Sequence, residues 1–303
     1  MAKYIAKRIL LAIVSIWIIT MITFFAMNAI PGGPFNKEKA TDPAVIKELE
    51  ERYNLDKPLG QQYVLYMNNL LHGDWGVSLK TGRPIWDDMT SKFSVSAKLG
   101  GRAAIIAIIL GIILGAVAAL TRNKLPDRLI IFFTTLGTAM PSFVLATLLL
   151  LVFCLKLGWF PVFSSSNPSY TLPVIALAVY PMAYITRLTK TSMLDALNQD
   201  YVRTARAKGV SKIKVIFLHA LRNALIPVIT YVGPMVAYIL TGSMVVENIF
   251  TIGGLGSTFV TSITNRDYTT IMAVTIFLAI LMVIANLITD IIYKFVDPRI
   301  KLD

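Results

Sequence analysis

The chain has 303 residues, of which 55% are hydrophobic and only 15% charged, and its mean hydropathy of +0.66 excludes an ordinary soluble domain. Its formal net charge of +12 is better explained by Lys and Arg retained in cytoplasmic loops of a membrane protein than by nucleic-acid binding. Cys154 is the single cysteine, so no internal disulfide or thiolate zinc centre can form.

The first apolar run, residues 9–30, follows Lys3, Lys7 and Arg8. It is longer than a signal-peptide core, and Met27-Asn28-Ala29 makes a poor cleavage site, so the run reads as a retained first span. Residues 31–98 then form an external segment. Within it, Asp42-Pro43 is a helix start, and the apolar spacing from Pro58 to Leu71 predicts a second helix that stops near Gly73. Five more spans are predicted over 99–120, 129–157, 172–188, 224–246 and 269–293, with kinks at Pro141 and Pro181.

Orientation follows from the connections. Arg122, Lys124 and Arg128 lie in the second, seven Lys and Arg between Lys190 and Arg222 in the fourth, and Lys294, Arg299 and Lys301 in the tail. The connections 158–171 and 247–268 together hold only Arg266 as a basic residue. Both termini are therefore expected in the cytoplasm of a multi-pass cell-membrane protein. The expected organisation is 1–30 as amino terminus and first span, 31–98 as external segment, 99–293 as membrane core with a cytoplasmic loop at 190–223, and 294–303 as cytoplasmic tail.

The chemistry of an enzyme or an ion-coupled pump is missing from this pattern. No stretch has the spacing of a phosphate-binding loop, although Gly76 to Gly82 contains Lys80-Thr81. His72 and His219, the only histidines, fall outside the spans on opposite sides, so neither a Ser-His pair nor a His-rich zinc helix can be assembled in the membrane. The middles of the six spans carry no ionisable residue; Arg102, Lys156, Arg187, Glu247 and Asp290 lie near span ends, where snorkelling accounts for most of them. Energy for uphill transport must come from another chain.

The most informative stretch is the basic loop after the fourth span. It reads Asn198-Gln-Asp-Tyr-Val-Arg-Thr-Ala-Arg-Ala-Lys-Gly209 and runs on to Asn223. Tyr201, Ala205 and Ala207 offer a small-residue helical surface, Gly209 gives a stop, and Ile213, Ile216, Phe217 and Ala220 recur at helical spacing. Such a helix suits either a partner's groove or the surface of an anionic membrane.

The segment Tyr201-Val-Arg-Thr-Ala-Arg-Ala-Lys-Gly209, with His219-Ala-Leu-Arg-Asn-Ala-Leu-Ile-Pro227, resembles the Glu-Ala-Ala coupling loop of type I ABC importers in its peptide-permease form. The resemblance extends over nearly the whole chain through Pro31-Gly-Gly-Pro34, Tyr53 to Pro58, Gly73-Asp-Trp-Gly76, Pro141-Ser-Phe143, Gly254-Leu-Gly256 and Asp297-Pro-Arg-Ile300. In order, these are similar to the B-type subunit of oligopeptide and dipeptide permeases. Arg203 and Thr204 depart from it where the general motif has Glu and Ala, and Arg222 where it has Pro.

The resemblance implies an all-α integral membrane protein with the six transmembrane helices of the type I permease fold and a small external element between spans 1 and 2. It implies a non-catalytic subunit that pairs with a second homologous permease and docks two ABC ATPase subunits, which bind ATP and Mg; this chain binds no cofactor. An extracellular peptide-binding protein would deliver the peptide. The coupling loop would comprise Tyr201, Arg203, Thr204, Ala205, Ala207, Gly209 and Val210, and the translocation path would include Ser142, Thr241, Gly242 and Ser243. Those small residues also suit helix packing. The alternatives are the same architecture importing dipeptides, nickel or another small solute, and a stand-alone channel or secondary transporter.

Overall fold

The computed structural model describes residues 2–29, 54–164, 166–240 and 243–296. Among them there is no β-sheet, only an isolated antiparallel bridge between Val77 and Pro84. The helices are α1 Ala2–Asn28, α2 Leu59–Leu71, α3 Ile85–Leu120, α4 Leu125–Ala139, α5 Ser142–Leu149 prolonged by a π-helical turn at Leu150–Lys156, and α6 Thr171–Leu197. They continue with α7 Asp200–Ala207, a short turn Lys212–Lys214 and a π-helical stretch Val215–Leu221 leading into α8 Arg222–Leu240, then α9 Met244–Ile249, α10 Leu255–Asn265 and α11 Tyr268–Val296. Five helical stretches are long and apolar enough to cross a membrane, and a sixth span exists if the bent pair α4 and α5 is one. Five to six spans of this kind agree with the type I permease fold.

The predicted second helix of the external segment is present as α2, and Gly73, at φ +83°, turns the chain after it. The Asp42-Pro43 helix start lies outside the described residues. Two boundaries moved for a physical reason. Hydropathy marks only where a helix is apolar, whereas backbone hydrogen bonding carries α3 back to Ile85, fourteen residues ahead of the expected start at 99. Asp87 and Asp88 in its first turn favour that beginning by facing the positive end of the helix dipole. The expected span 129–157 is two helices meeting at 103°. Pro141 has no N–H and holds the extended geometry that starts α5 (φ −58°, ψ 139°), so the chain turns there. Pro181, by contrast, sits inside an unbroken α6.

The chain divides into two compact units. The first comprises residues 1–94 and 257–283. Phe24 and Met27 of α1 pack with Tyr268, Ile271, Met272 and Ile276 of α11, and Tyr63, Tyr66, Leu70 and Trp75 close over them. Thr20 Oγ1 and the Tyr63 hydroxyl share a 2.7 Å hydrogen bond. Buried Asp267 clamps the loop before α3 by accepting hydrogen bonds from Ser78 Oγ and, at 3.0 Å, from the Leu79 N–H.

The second unit comprises 95–256 and 284–303. Its core is formed by Leu99, Ala103 and Ala107 of α3, Ala176, Ala178 and Ile185 of α6, Val228, Met235 and Ile239 of α8, and Val246 and Phe250 around α9. Small residues let α3 lie against α6. A Cβ at Gly111 would stand 2.7 Å from Ile185 side-chain carbons, and one at Gly115 2.6 Å from the Thr186 carbonyl oxygen. This Gly111-x-x-x-Gly115 spacing is the close-approach pattern of membrane helices. Cys154 is buried as a small hydrophobe.

At the start of α4, Asp127 accepts a hydrogen bond from the Asn123 N–H at 2.9 Å and pairs with Lys190 of α6. Asp127 is 7% and Lys190 20% exposed, so losing one partner strands the other in a poorly solvated place. Asp127→Ala is expected to destabilise the unit by about 3 kcal/mol, read as a lower melting temperature of the detergent-solubilised protein. The double variant Asp127→Ala/Lys190→Met should recover most of that loss, and no recovery would show that the pair does not act as a unit.

Candidate functional site

Two features of the second unit bear on function. The first is the loop after α6. Helix α7 ends in a two-bond cap: the Gly209 N–H donates to the Arg206 carbonyl at 3.0 Å, and the Val210 N–H to the Ala205 carbonyl at 3.2 Å. That geometry demands a left-handed residue, and Gly209 supplies it at φ +76°. Val210 then folds back beside Val202, Ala205 and Val215, of which Val202 is fully buried and Ala205 nearly so.

Ala205 therefore belongs to the small core beneath α7, not to an outward surface shared with Ala207. The reason is periodicity, since two residues span about 200° of helix and place the two alanines on nearly opposite sides. The outward face presents Tyr201, Arg203, Thr204, Arg206, Ala207 and Lys208, with Gly209 also exposed. An Arg203–Asp200 ion pair of 3.4 Å decorates it, and both partners are so exposed that it adds little to stability. Beyond the cap, Ala220 packs with Ala119, Met193, Ala196 and Ala224, while Ile213 and Phe217 remain 70% and 61% exposed. The result is a short basic helix held firmly on its inner side, with an apolar flank left outside.

The second feature is a cavity of about 650 Å³ at the α4–α5 break, bounded by α6 and α8. Thr138, Met140, Pro141 and Ser142 line it from the break, Tyr180 from α6, and Tyr231 and Tyr238 from α8. Of the expected path residues, Ser142 and Ser243 are brought to this one cavity. Thr241 and Gly242 lie outside the described residues. The Ser243 hydroxyl also caps α9 by accepting from the Val246 N–H at 3.2 Å. Among the described residues, no charged side chain lines the cavity.

The tyrosines were missed by sequence reasoning. Tyr184 stacks on Tyr231 with ring centroids 4.3 Å apart, and Tyr180 and Tyr238 are 50% and 71% exposed on helices that otherwise bury their apolar faces. Their signal was available: Tyr180 and Tyr184 are four apart, and Tyr231 and Tyr238 seven apart, so each pair shares a helix face. What the sequence could not show was that both faces meet. Neutral phenols of this kind exchange hydrogen bonds with amide groups without selecting a charge, and Met140 and Met235 supply adaptable apolar walls.

Comparison with known proteins agrees with this architecture. Residues 107–302 match the family described as "Binding-protein-dependent transport system inner membrane component", and residues 1–99 match its N-terminal companion. The chain is 47% identical over 304 residues to the dipeptide transport system permease protein DppB of Bacillus subtilis, covering 100% of this chain and 99% of that one. It is 42% identical to the oligopeptide transport system permease protein OppB of Haemophilus influenzae, covering 99% and 100%. Among solved structures, the MetNI methionine ABC transporter in inward-facing form matches with TM-score 0.59 and 14% identity over 71% of this chain and 99% of that chain. An amino acid ABC transporter matches with TM-score 0.57 and 16% identity over 69% and 94%; both share the fold. This chain belongs to the inner membrane component family of binding-protein-dependent transport systems.

Proposed function

We propose that this chain is a permease subunit of an ATP-driven oligopeptide importer, forming the translocation path together with a second permease. The observation that carries the reading is the uncharged cavity rimmed by Tyr180, Tyr231 and Tyr238 at the α4–α5 break. Peptides differ in their side chains but share a backbone of amide donors and acceptors, which phenol and hydroxyl groups can follow while apolar walls tolerate the rest. The names of the relatives support peptide as cargo and include both dipeptide and oligopeptide systems.

In this reading both termini are cytoplasmic, the 31–98 segment is external and near an extracellular peptide-binding protein, and α7 is the coupling helix. Two ATPase subunits bind ATP and Mg and dock on the cytoplasmic side; this chain does no hydrolysis. Tyr201, Arg203, Thr204, Ala207 and Gly209 meet the ATPase, while Ala205 and Val210 anchor the helix from beneath. Closure of the ATPases moves α7 as a rigid piece, because its inner side is packed and capped, and the spans respond by opening the path outward.

The test is uptake in the assembled transporter. Tyr231→Ala/Tyr238→Ala is expected to reduce uptake of a labelled pentapeptide about tenfold, the loss of one or two hydrogen bonds and their stacking, with ATPase copurification unchanged. The corresponding Phe variants should retain part of the activity through their rings. Full uptake by the double Ala variant would remove the cavity from the path, and comparison of labelled di- and pentapeptides decides the length class.

A further inference from the structure

Helix α6 leaves one stripe of its surface uncovered. Tyr180, Tyr184, Arg187 and Thr191 are exposed at spacings of four, three and four, which places them on one face of the helix, while Ala183, Ile185, Thr186 and Thr189 between them are buried. The first half of the stripe is the tyrosine wall described above. Tyr180 lines the cavity at the α4–α5 break, and Tyr184 stacks on Tyr231 of the same wall. Arg187 comes next along the face.

Arg187 is tied to that cavity from its edge. Its Nη1 donates to Thr138 Oγ1 at 3.5 Å, and Thr138 lines the cavity. The Thr138 hydroxyl itself donates to the Thr134 and Thr135 carbonyls, each at 3.1 Å, so toward the guanidinium its oxygen accepts. Among the described residues this is the hydrogen bond that Arg187 makes, and it uses one of five guanidinium N–H donors. The planar fork is thus held beside the cavity, where it suits a carboxylate. Arg187 also falls within a helix long and apolar enough to cross a membrane, and a charge in such a helix faces a bundle interior or a water-filled path. Lys190 is occupied elsewhere by its pair with Asp127. Asp195, the next charge on the exposed stripe, lies about 12 Å farther along the axis.

We infer that Arg187 receives the C-terminal carboxylate of the peptide as it leaves the tyrosine-lined cavity. The inference rests on the peptide reading given above and adds a direction to it. Every unblocked peptide ends in a carboxylate whatever its side chains, so one guanidinium acts on all of them where the phenols select no charge. Tyr180 and Arg187 are separated by about 10 Å of helix rise, the length of roughly three residues of extended backbone. A peptide lying along the tyrosines therefore brings its last residue to the fork. Its ammonium end is repelled by the same charge and trails behind, so in the orientation proposed above the carboxylate enters the cytoplasm first.

The experiment compares uptake, by the complete transporter, of a labelled pentapeptide with a free carboxylate and of its C-terminal amide. Initial rates are taken at saturating peptide-binding protein and counted per assembled complex, so that discrimination by the binding protein enters every ratio equally. Arg187→Gln keeps a donor for Thr138 and removes the charge, and it should lower the ratio of acid to amide uptake about tenfold, the loss of one charge-assisted hydrogen bond. Arg187→Lys should restore most of that ratio. An unchanged ratio in Arg187→Gln, or an equal loss for both peptides, overturns the assignment and leaves peptide transport standing. Absence of uptake of either peptide by the wild-type protein removes the peptide reading and this inference with it. A second measurement needs neither the variant nor the amide: pentapeptides carrying benzoylphenylalanine at the last or the first position are illuminated during turnover by the wild-type transporter. The last-position probe should label residues 184–191 and the first-position probe should not. Labelling of that stretch by both alike, or by the first-position probe alone, overturns the assignment.

Discussion

Gly209→Asp should abolish peptide uptake and copurification of the ATPases while leaving the chain inserted in the membrane. The added side chain meets open space, with nothing within 4 Å of its Cβ, so the effect does not come from a clash. It comes from two other sources. The left-handed φ of +76° costs a non-glycine residue about 1 kcal/mol or more, which loosens the cap that fixes the end of α7. A carboxylate also enters a face otherwise carrying Arg206, Lys208, Lys212 and Lys214, and reverses the local field offered to a docking partner. Gly209→Asn separates the two, since Asn tolerates the left-handed region and carries no charge. Uptake retained by Asn and lost with Asp assigns the defect to charge; loss in both assigns it to the backbone. Normal uptake and normal copurification in Gly209→Asp would sink the coupling role and return α7 to the lipid surface.

Gly254→Ala should reduce the amount and the stability of folded protein, with the largest loss of stability among single-methyl additions in this part of the chain. Glu247, fully buried, accepts from Ser96 Oγ at 2.7 Å, and the same Ser96 oxygen accepts from the Leu255 N–H at 2.8 Å. A methyl on Gly254 would lie 2.5 Å from Glu247 Oε2 and 2.6 Å from Ser96 Oγ. Neither group can retreat cheaply, because the Glu247 carboxylate is held through Oε1 by the Ser96 hydroxyl, and the Ser96 oxygen is held in turn by the Leu255 N–H. Displacing a buried carboxylate from its donors costs on the order of 3 kcal/mol, measured as a reduced yield of monodisperse protein and a lower melting temperature. The neighbouring Gly253 is the control: an added Cβ there meets nothing within 4 Å, so Gly253→Ala should behave like the wild type. Equal behaviour of the two alanine variants would mean that the Glu247–Ser96 arrangement does not constrain this turn.

Neither of these glycines looks special in isolation. Gly209 was recognised as a helix stop because it follows a helical stretch of Ala, Arg and Lys, a signal local enough to read along the chain. Gly254 was legible only as part of a motif. Its physical reason, a carboxylate from α9 and a hydroxyl from α3 converging on its α-carbon, joins residues up to 158 positions apart. Pro141 shows the intermediate case. The sequence predicts a disturbance there, because a proline removes a donor and restricts the residue before it, but the 103° angle between the two half-helices depends on what packs on either side.

Hydropathy by itself determined the number of apolar spans and the absence of ionisable residues from their middles, because the bilayer acts on each stretch of about 20 residues independently of the rest. The helical stop at Gly209 and the end of the external helix near Gly73 were likewise local properties of backbone geometry. Only the tertiary structure decided where helices outrun their apolar stretches, as α3 does from Ile85, and which side of a short helix is spoken for, as it does by burying Ala205 and exposing Ala207. It alone brought Tyr180 and Tyr231 to one cavity. The reason is the same in each case: a side chain's environment is set by contacts between segments distant in sequence, which no local period records.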